Sequence, residues 1–262
     1  MGFADLHIHS IHSYDGTASV AAILKFTATR TDLNVLALTD HDTLTGVDQA
    51  VRLAPEYGLE VIPGCEISTA EGHLLALFIH KAIPAGLSLA ETALRVRDQG
   101  GLCVVAHPAA AGVNGASFTC IRKALDVPGV SEALVGVEAF NGGLIMTRRN
   151  PEVERQSALL PLAQTGNSDS HILDTIGQGS TEFEGSTALE LRQALMQHST
   201  RVRKQVTLPA SAVVTRYLPR IYLRKLGWVI DNIHAGAPFV YAPLQEALEH
   251  NYPLPLNALS YR

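Results

Sequence analysis

Short apolar runs recur along the chain, and between them lie segments whose apolar residues repeat every three or four positions. The runs FADLHI (3–8), NVLALTD (34–40), LEVIPGCEIS (59–68), HLLALFI (73–79), LCVVAHP (102–108), LVGVEAF (134–140) and AQTGNSDSH (163–171) predict strands. The intervening SVAAILKFTATR, TLTGVDQAVRLAPEYG, SLAETALRVRDQGG, FTCIRKALD, NPEVERQSALLPLA and TALELRQALMQHS predict helices. Capping residues agree: SLAETALRVRDQGG has a serine start and a glycine stop, and TLTGVDQAVRLAPEYG ends near Gly58. Strands alternating with helices in this way predict an α/β fold built on a largely parallel sheet. No repeat of fixed period is visible.

Composition adds limits. At 262 residues the chain suits one large α/β domain, or one domain with an appendage. With 47% hydrophobic and 17% charged residues it reads as an ordinary core-forming protein. No stretch approaches the ~20 uninterrupted apolar residues that span a bilayer. MGFADLHIHS lacks the basic and apolar regions of a signal peptide, and Leu6 stands where a myristoylation motif needs Ser or Thr. Cys65, Cys103 and Cys120 form no CxxC pair and no disulfide framework, so a reducing cytoplasm is expected.

The net charge of −5 is unevenly spread. Residues 1–200 hold 12 Lys/Arg against 22 Asp/Glu, whereas residues 201–262 hold 8 against 3. An acidic body with a basic tail is unlike a dedicated duplex-DNA binder. It is easier to reconcile with bound divalent cations. The expected organisation is therefore an acidic α/β body over 1–200 and a basic extension over 201–262, which packs on that body or on a partner subunit as a homo-oligomer contact. Pro219 argues against one unbroken helix in RYLPRIYLRKLGWVI unless it sits in the first turn.

Chemistry-bearing residues gather at the predicted strand ends. His7 and His9 end the first strand, Asp40, His41 and Asp42 the second, and Glu66 the third. His107 ends a later strand, and Asp169 and His171 follow the last. In barrels of βα units the C-terminal strand ends share one mouth. His7 and His9 are two apart, as are Asp169 and His171, and residues two apart on a strand share a face. Each pair is thus placed to clasp a metal ion, with Glu66 as the candidate bridge. Imidazole suits Zn, Mn, Fe and related ions, and carboxylates bridge two of them.

The ordered set DLHIHS, LTDHDT, PGCEIS, GHLLALFI, AHP and GNSDSH resembles the PHP (polymerase and histidinol phosphatase) family, and IGQGSTEFEGSTALELRQAL resembles that family's ending. The resemblance covers roughly residues 3–197. It implies a distorted (β/α)7, TIM-like barrel holding two or three divalent ions (Mn, Fe or Zn) and a phosphoesterase activity. It also implies nine ligands: His7, His9, Asp15, His41, Glu66, His73, His107, Asp169 and His171, with His7, His9, Glu66, Asp169 and His171 central to catalysis. The loop SYDG departs from the family's SDG by carrying Tyr14. His73 fits the family's glycine–histidine strand better than His80.

Cations sharing a carboxylate and a water yield hydroxide near neutral pH, and that hydroxide would attack phosphorus in line. Asp40 and Asp42 are expected to orient His41 or other ligands from behind. Arg148 and Arg149 are expected to bind a second phosphate or a carboxylate. The expected activity is hydrolysis of a phosphate monoester of a small metabolite or nucleotide, such as a nucleoside 3′,5′-bisphosphate. Nucleic acid enters only as a possible substrate, and no membrane partner is expected. Two rival enzymes remain: a phosphodiesterase or exonuclease on nucleic-acid ends, and an amidohydrolase-type metal hydrolase. The latter commonly uses a bridging lysine where this chain has Glu66. A non-catalytic metal module would have lost ligands, and none is lost.

Overall fold

The computed structural model describes residues 1–110, 114–143, 149–205, 208–231 and 239–249. Nine strands form one sheet: β1 (Gly2–Ile8), β2 (Val35–Leu38), β3 (Glu60–Ser68), β4 (His73–Leu77), β5 (Leu102–Val105), β6 (Leu134–Asn141), β7 (Ala163–Asn167), β8 (Gly179–Phe183) and β9 (Arg201–Lys204). Their order is β7-β6-β5-β4-β3-β2-β1-β8-β9. The segment after β7 returns to β1 through a parallel bridge between Ile8 and Ser170, with His9 N–H on Ser170 O (2.9 Å) and Ser170 N–H on His7 O (3.2 Å). The sheet is thereby nearly closed into a barrel. Helices α1 (Val20–Arg30), α2 (Val47–Leu53), α3 (Leu89–Asp98), α4 (Phe118–Leu125), α5 (Asn150–Ser157) and α6 (Ala188–Met196) connect the strands.

Local chemistry accounts for these elements. Ser19, Ser88, Ser117 and Thr187 cap α1, α3, α4 and α6 by accepting a backbone N–H with their side chains, and Glu190 completes a capping box with Thr187. The stop at Gly58 is a left-handed residue closing a short 3₁₀ turn after α2. Strands β2, β4 and β5 are buried along their whole length, as expected where the sheet is covered on both faces.

Four pairings in the nine-stranded sheet are parallel (β1–β2, β2–β3, β5–β6 and β6–β7) and four antiparallel, so the sheet is more mixed than the alternating pattern predicts. The pairs β1–β8 and β8–β9 are antiparallel, and β4 runs antiparallel to both β3 and β5. The cause is the length of the connection. Residues 69–72 form a tight hairpin, with Thr69 N–H on Gly72 O, whereas a parallel crossover needs about a dozen residues or more. Reversal has a consequence for the site. It pairs His73, the first residue of β4, with Ser68, the last of β3, so His73 stands at the same barrel end as the other candidate ligands.

Strands β8 and β9 lie beyond the apolar runs read as strands, and β9 carries the sheet to Lys204. The chain continues as α7 (Ala210–Lys225), then a two-stranded sheet of β10 (Trp228–Asp231) and β11 (Val240–Pro243), and α8 (Leu244–Glu249). Contrary to the expectation from Pro219, α7 is continuous through that residue. An interior proline costs a helix about 3 kcal/mol. Side-chain anchors along α7 offset it: Arg216 and Arg220 bond Asp174, and Arg224 bonds carbonyls of the loop after β1. No described helix is long and apolar enough to cross a membrane.

Candidate metal centre

Glu66, at the end of β3, is 1% exposed and is ringed by five imidazoles. Its Oε1 lies 2.8 Å from His73 Nδ1 and 3.0 Å from His107 Nε2. Its Oε2 lies 3.0 Å from His41 Nδ1, 3.3 Å from His7 Nε2 and 3.4 Å from His9 Nε2. Asp169 Oδ1 faces the same two nitrogens, at 3.5 Å from His7 and 3.4 Å from His9. On the outer side Asp15 Oδ2 meets His171 Nε2 at 3.0 Å and His41 Nε2 at 3.5 Å. All nine residues named as ligands from the sequence thus converge, though they span positions 7 to 171.

The donor atoms sort into four overlapping groups. These are His9, Asp15, His41 and His171; His7, His9 and Glu66; His7, His107 and Asp169; and His41, Glu66 and His73. Within each group the atoms lie within 4.8 Å of one another. His7 Nε2, His9 Nε2, His107 Nδ1, Asp15 Oδ1 and Glu66 Oε2 are buried and make no hydrogen bond. A buried polar atom without a partner costs about 1–3 kcal/mol, and five such atoms within one cluster call for partners that these residues themselves do not supply. Imidazole nitrogens and carboxylate oxygens are the donor set of divalent transition ions, so these residues fit the metals that the sequence implies.

Ring orientation supports this. His7 Nδ1 lies 2.8 Å from Glu138 Oε1, and His9 Nδ1 lies 3.1 Å from Ser13 Oγ. A proton held on Nδ1 by Glu138 leaves the His7 Nε2 lone pair facing Glu66 and Asp169. Glu138, on β6, is fully buried; its Oε2 also accepts from His107 N–H (2.6 Å) and Asn141 Nδ2 (3.0 Å). The motif reading did not single out this residue. Its signal was a lone acid inside the apolar run LVGVEAF. Asp5 was missed too: it is buried and takes N–H bonds from Ser168, Gly177 and His7, joining β1 to the segment after β7.

Asp40 and Asp42 bond backbone and hydroxyl groups beside the ligands, with no hydrogen bond to the His41 ring among the described residues. Asp40 accepts from Ser10 N–H, Ser10 Oγ and Ser13 N–H, and so shapes the turn that delivers Ser13 to His9. Asp42 binds Ser68 through its N–H and hydroxyl. A carboxylate finds these nearby free donors before it can reach a neighbouring ring. Arg149 donates to the carbonyl of Ala109 (2.7 Å), two residues past His107, and Arg148 lies outside the described residues.

Charges inside the cluster are coupled. Burial alone would raise the Glu66 carboxyl, but the charge of His7 and the close imidazoles of His107 and His41 reverse this and hold it well below the usual carboxylate range. Asp169 behaves alike, burial being outweighed by His7, His9 and His171. Burial would lower His41, but Asp15 and Glu66 push it up to about 10. Against the same burial, Asp15 and Asp169 bring His171 up to about 9. In the absence of cations, protons on these imidazoles balance the carboxylates, and metal binding must displace them.

The cluster opens into a cavity of about 390 Å³, rimmed by Tyr14, Asn114, Gly143, Val213 and Tyr217. That volume holds a small ligand. The tyrosines stand beside ligands: Tyr14 stacks on His41 at 5.0 Å and Tyr217 meets His171 edge-on at 6.2 Å.

Comparison with known proteins places the chain in a family. A family model described as the PHP domain matches residues 5–203. An uncharacterised protein of Methanocaldococcus jannaschii is 37% identical over 148 residues, covering 53% of this chain and 81% of its own length. A 5′-3′ exoribonuclease of Haemophilus influenzae is 40% identical over 99 residues, 36% of this chain and 35% of that enzyme. A 3′,5′-nucleoside bisphosphate phosphatase of Chromobacterium violaceum is 34% identical over 128 residues, 46% of this chain and 44% of that enzyme. The chain thus spans less than half of the two named enzymes. Among solved structures, a two-domain protein from Bacteroides vulgatus described as containing a predicted PHP-like metal-dependent phosphoesterase superposes with a TM-score of 0.61 at 18% identity, covering 92% of this chain and 75% of that one, which shows the shared fold. The chain belongs to the PHP domain family, a family of metal-dependent phosphoesterases.

Proposed function

We propose that this protein hydrolyses the phosphate monoester of a small metabolite or nucleotide, a nucleoside 3′,5′-bisphosphate being the first candidate. The observation that carries the reading is the buried Glu66 carboxylate among five imidazoles, with the Nε2 atoms of His7 and His9 left unbonded. His7, His9, Glu66, His73, His107 and Asp169 would hold two divalent ions, Mn, Fe or Zn; Asp15, His41 and His171 would hold a third. Such ions lower the pKa of water to supply a nucleophile at neutral pH and neutralise charge growing on phosphoryl oxygens.

The chain's own groups do the rest. Glu138 keeps the His7 proton on Nδ1, and Ser13 steadies His9, so both rings present Nε2 to the reacting side. The cavity admits one small ester and limits bulk water around it. Arg149, which donates to the carbonyl of Ala109, is the candidate guanidinium for a second phosphate. Three free cysteines, two of them buried, suit a reducing cytoplasm.

The similarity to an exoribonuclease favours a second reading, attack on a phosphodiester at an RNA end. One screen separates the two. Protein loaded in turn with Mn, Fe and Zn is assayed for phosphate release from nucleoside 3′,5′-bisphosphates and 5′-monophosphates, for release of the phenol from bis-aryl phosphates, and for release of nucleotides from 5′-phosphorylated RNA oligonucleotides, with a His9→Ala variant as control. The proposal expects monoesters to turn over and the variant to be silent. Preference for RNA or diesters establishes the second reading. Metal-loaded protein that releases nothing from any ester ends both.

A further inference from the structure

Helix α7 begins beyond the last residue matched by the family model, yet it grips two loops of the metal centre. Arg216, Arg220 and Arg224 are four residues apart, so they share one helical face. Arg216 Nη1 bonds Asp174 Oδ1 at 3.0 Å, and Arg220 takes Asp174 Oδ2. Asp174 lies three residues after His171. Arg224, one turn on, donates from Nε to the carbonyl of Tyr14 at 2.9 Å and from Nη2 to the carbonyls of Ile11 (3.0 Å) and Ser13. Tyr14 directly precedes Asp15. Tyr217, on the same helix, meets the ring of His171. The two loops that α7 holds are therefore those that deliver Asp15 and His171, which meet each other at 3.0 Å.

Other ligands are positioned differently. His7, Glu66 and His73 belong to strands of the barrel, and His41 is bridged to Glu66 by backbone. Among the four donor groups, the set His9, Asp15, His41 and His171 is the one that contains both Asp15 and His171; Asp169, two residues before His171, belongs with His7 and His107. A carboxylate on a loop keeps its place only if the loop's backbone is fixed, and a guanidinium on three carbonyls does that with rigid geometry.

We propose that Arg224 is a positioning residue for this one cation site, with Arg216 and Arg220 holding the opposite loop, so that α7 sets the occupancy of the outer ion without serving the inner pair. The proposal rests on reading the cluster as a metal centre. Its test is metal binding itself. Metal-free protein is titrated with Mn²⁺ by calorimetry, and bound metal is counted by elemental analysis after dialysis. For Arg224→Ala, one ion per chain should bind ten-fold or more weakly while the affinities of the others change less than two-fold. Arg203→Ala, which breaks a surface pair with Asp32 at 2.8 Å, should leave every ion in place. Arg224→Lys should recover only part of the loss, because one ammonium cannot reproduce the fork.

If Arg224→Ala binds every ion as the parent does, or loses all of them in parallel, the proposal is overturned. Should Arg224→Ala fail to fold, Asp174→Ala, which frees the other anchor, is judged by the same criterion. A parent protein that binds no ion at all would instead overturn the metal reading beneath both this inference and the proposed activity.

Discussion

Replacing Glu138 by glutamine tests whether a buried carboxylate sets the coordinating atom of His7. Each Glu138 oxygen accepts two hydrogen bonds: Oε1 from His7 Nδ1 and Asn167 Nδ2, both at 2.8 Å, and Oε2 from His107 N–H at 2.6 Å and Asn141 Nδ2 at 3.0 Å. Glutamine has one oxygen and one NH₂. Placed at the Oε2 position, the NH₂ would oppose a backbone N–H that cannot reverse. Placed at the Oε1 position, it meets His7, whose imidazole can accept if its proton moves to Nε2. The second arrangement costs less, leaving only the Asn167 amide opposed, for about 1–3 kcal/mol of stability. Asn167 cannot turn to escape, because its Oδ1 accepts Leu6 N–H at 3.0 Å. The shifted proton then occupies the nitrogen that faces Glu66 and Asp169. Loss of such a partner behind a ligand lowers metal affinity about 10–100-fold, or roughly 1.4–2.8 kcal/mol. Urea unfolding of the metal-free variant gives the first quantity, and calorimetric metal titration gives the second. A folded E138Q protein with parental affinity for every ion would refute the tautomer argument.

Other outcomes follow from the same geometry. His41 and His171 are raised to about 10 and about 9 in the metal-free protein, by partners that win against burial. A raised histidine stabilises the fold fully below its unfolded value near 6.5, and the gain is lost as pH rises through 9 to 10. Metal-free melting temperature should therefore fall across that window while metal affinity rises, and binding at pH 7.5 should release protons, seen as a calorimetric heat that depends on the buffer. Glu66→Gln halves the oxygen set that five imidazoles share, and metal per chain after dialysis should drop by more than one ion; a full complement would show that Glu66 bridges nothing. Gly16→Ala would place a Cβ 1.9 Å from the Ser10 carbonyl oxygen, forcing the loop that carries Asp15 to move. A loss of about 1–3 kcal/mol in urea unfolding is expected, together with weakened binding of the ion nearest Asp15.

What was legible in the sequence follows from the range of the physics involved. His7 and His9 share a face because a strand repeats every two residues, and that needs no knowledge of the rest of the chain. The helix caps at Ser19, Ser88 and Ser117 are equally local. Asp169 and His171 are not such a pair: they lie beyond the end of β7 at Asn167, with Asp169 at φ +52°, so loop geometry rather than the strand repeat brings them to the site. The reversal of β4 was readable in principle, since residues 69–72 are too few for a crossover; the repeated βα pattern masked it. The continuity of α7 was not readable. The contact that stabilises it joins Arg224 to Tyr14 across 210 residues, and Pro219 is a local argument for the opposite outcome.

Glu138 lies between these cases. A single acid in a strand whose eight residues are all buried cannot stay ionised without donors around it. Burial pushes its carboxyl upward, and His7, through charge and a hydrogen bond, pulls it back below the ordinary carboxylate range. The run LVGVEAF therefore carried a requirement: some basic or N–H-bearing group had to face position 138. In the structure His7 meets that requirement, at the barrel mouth where the strand bearing 138 ends. A charge that the surrounding apolar run cannot tolerate points to a partner as surely as a metal motif does. Here it leads from an unremarked glutamate to the nitrogen that the first histidine offers a cation.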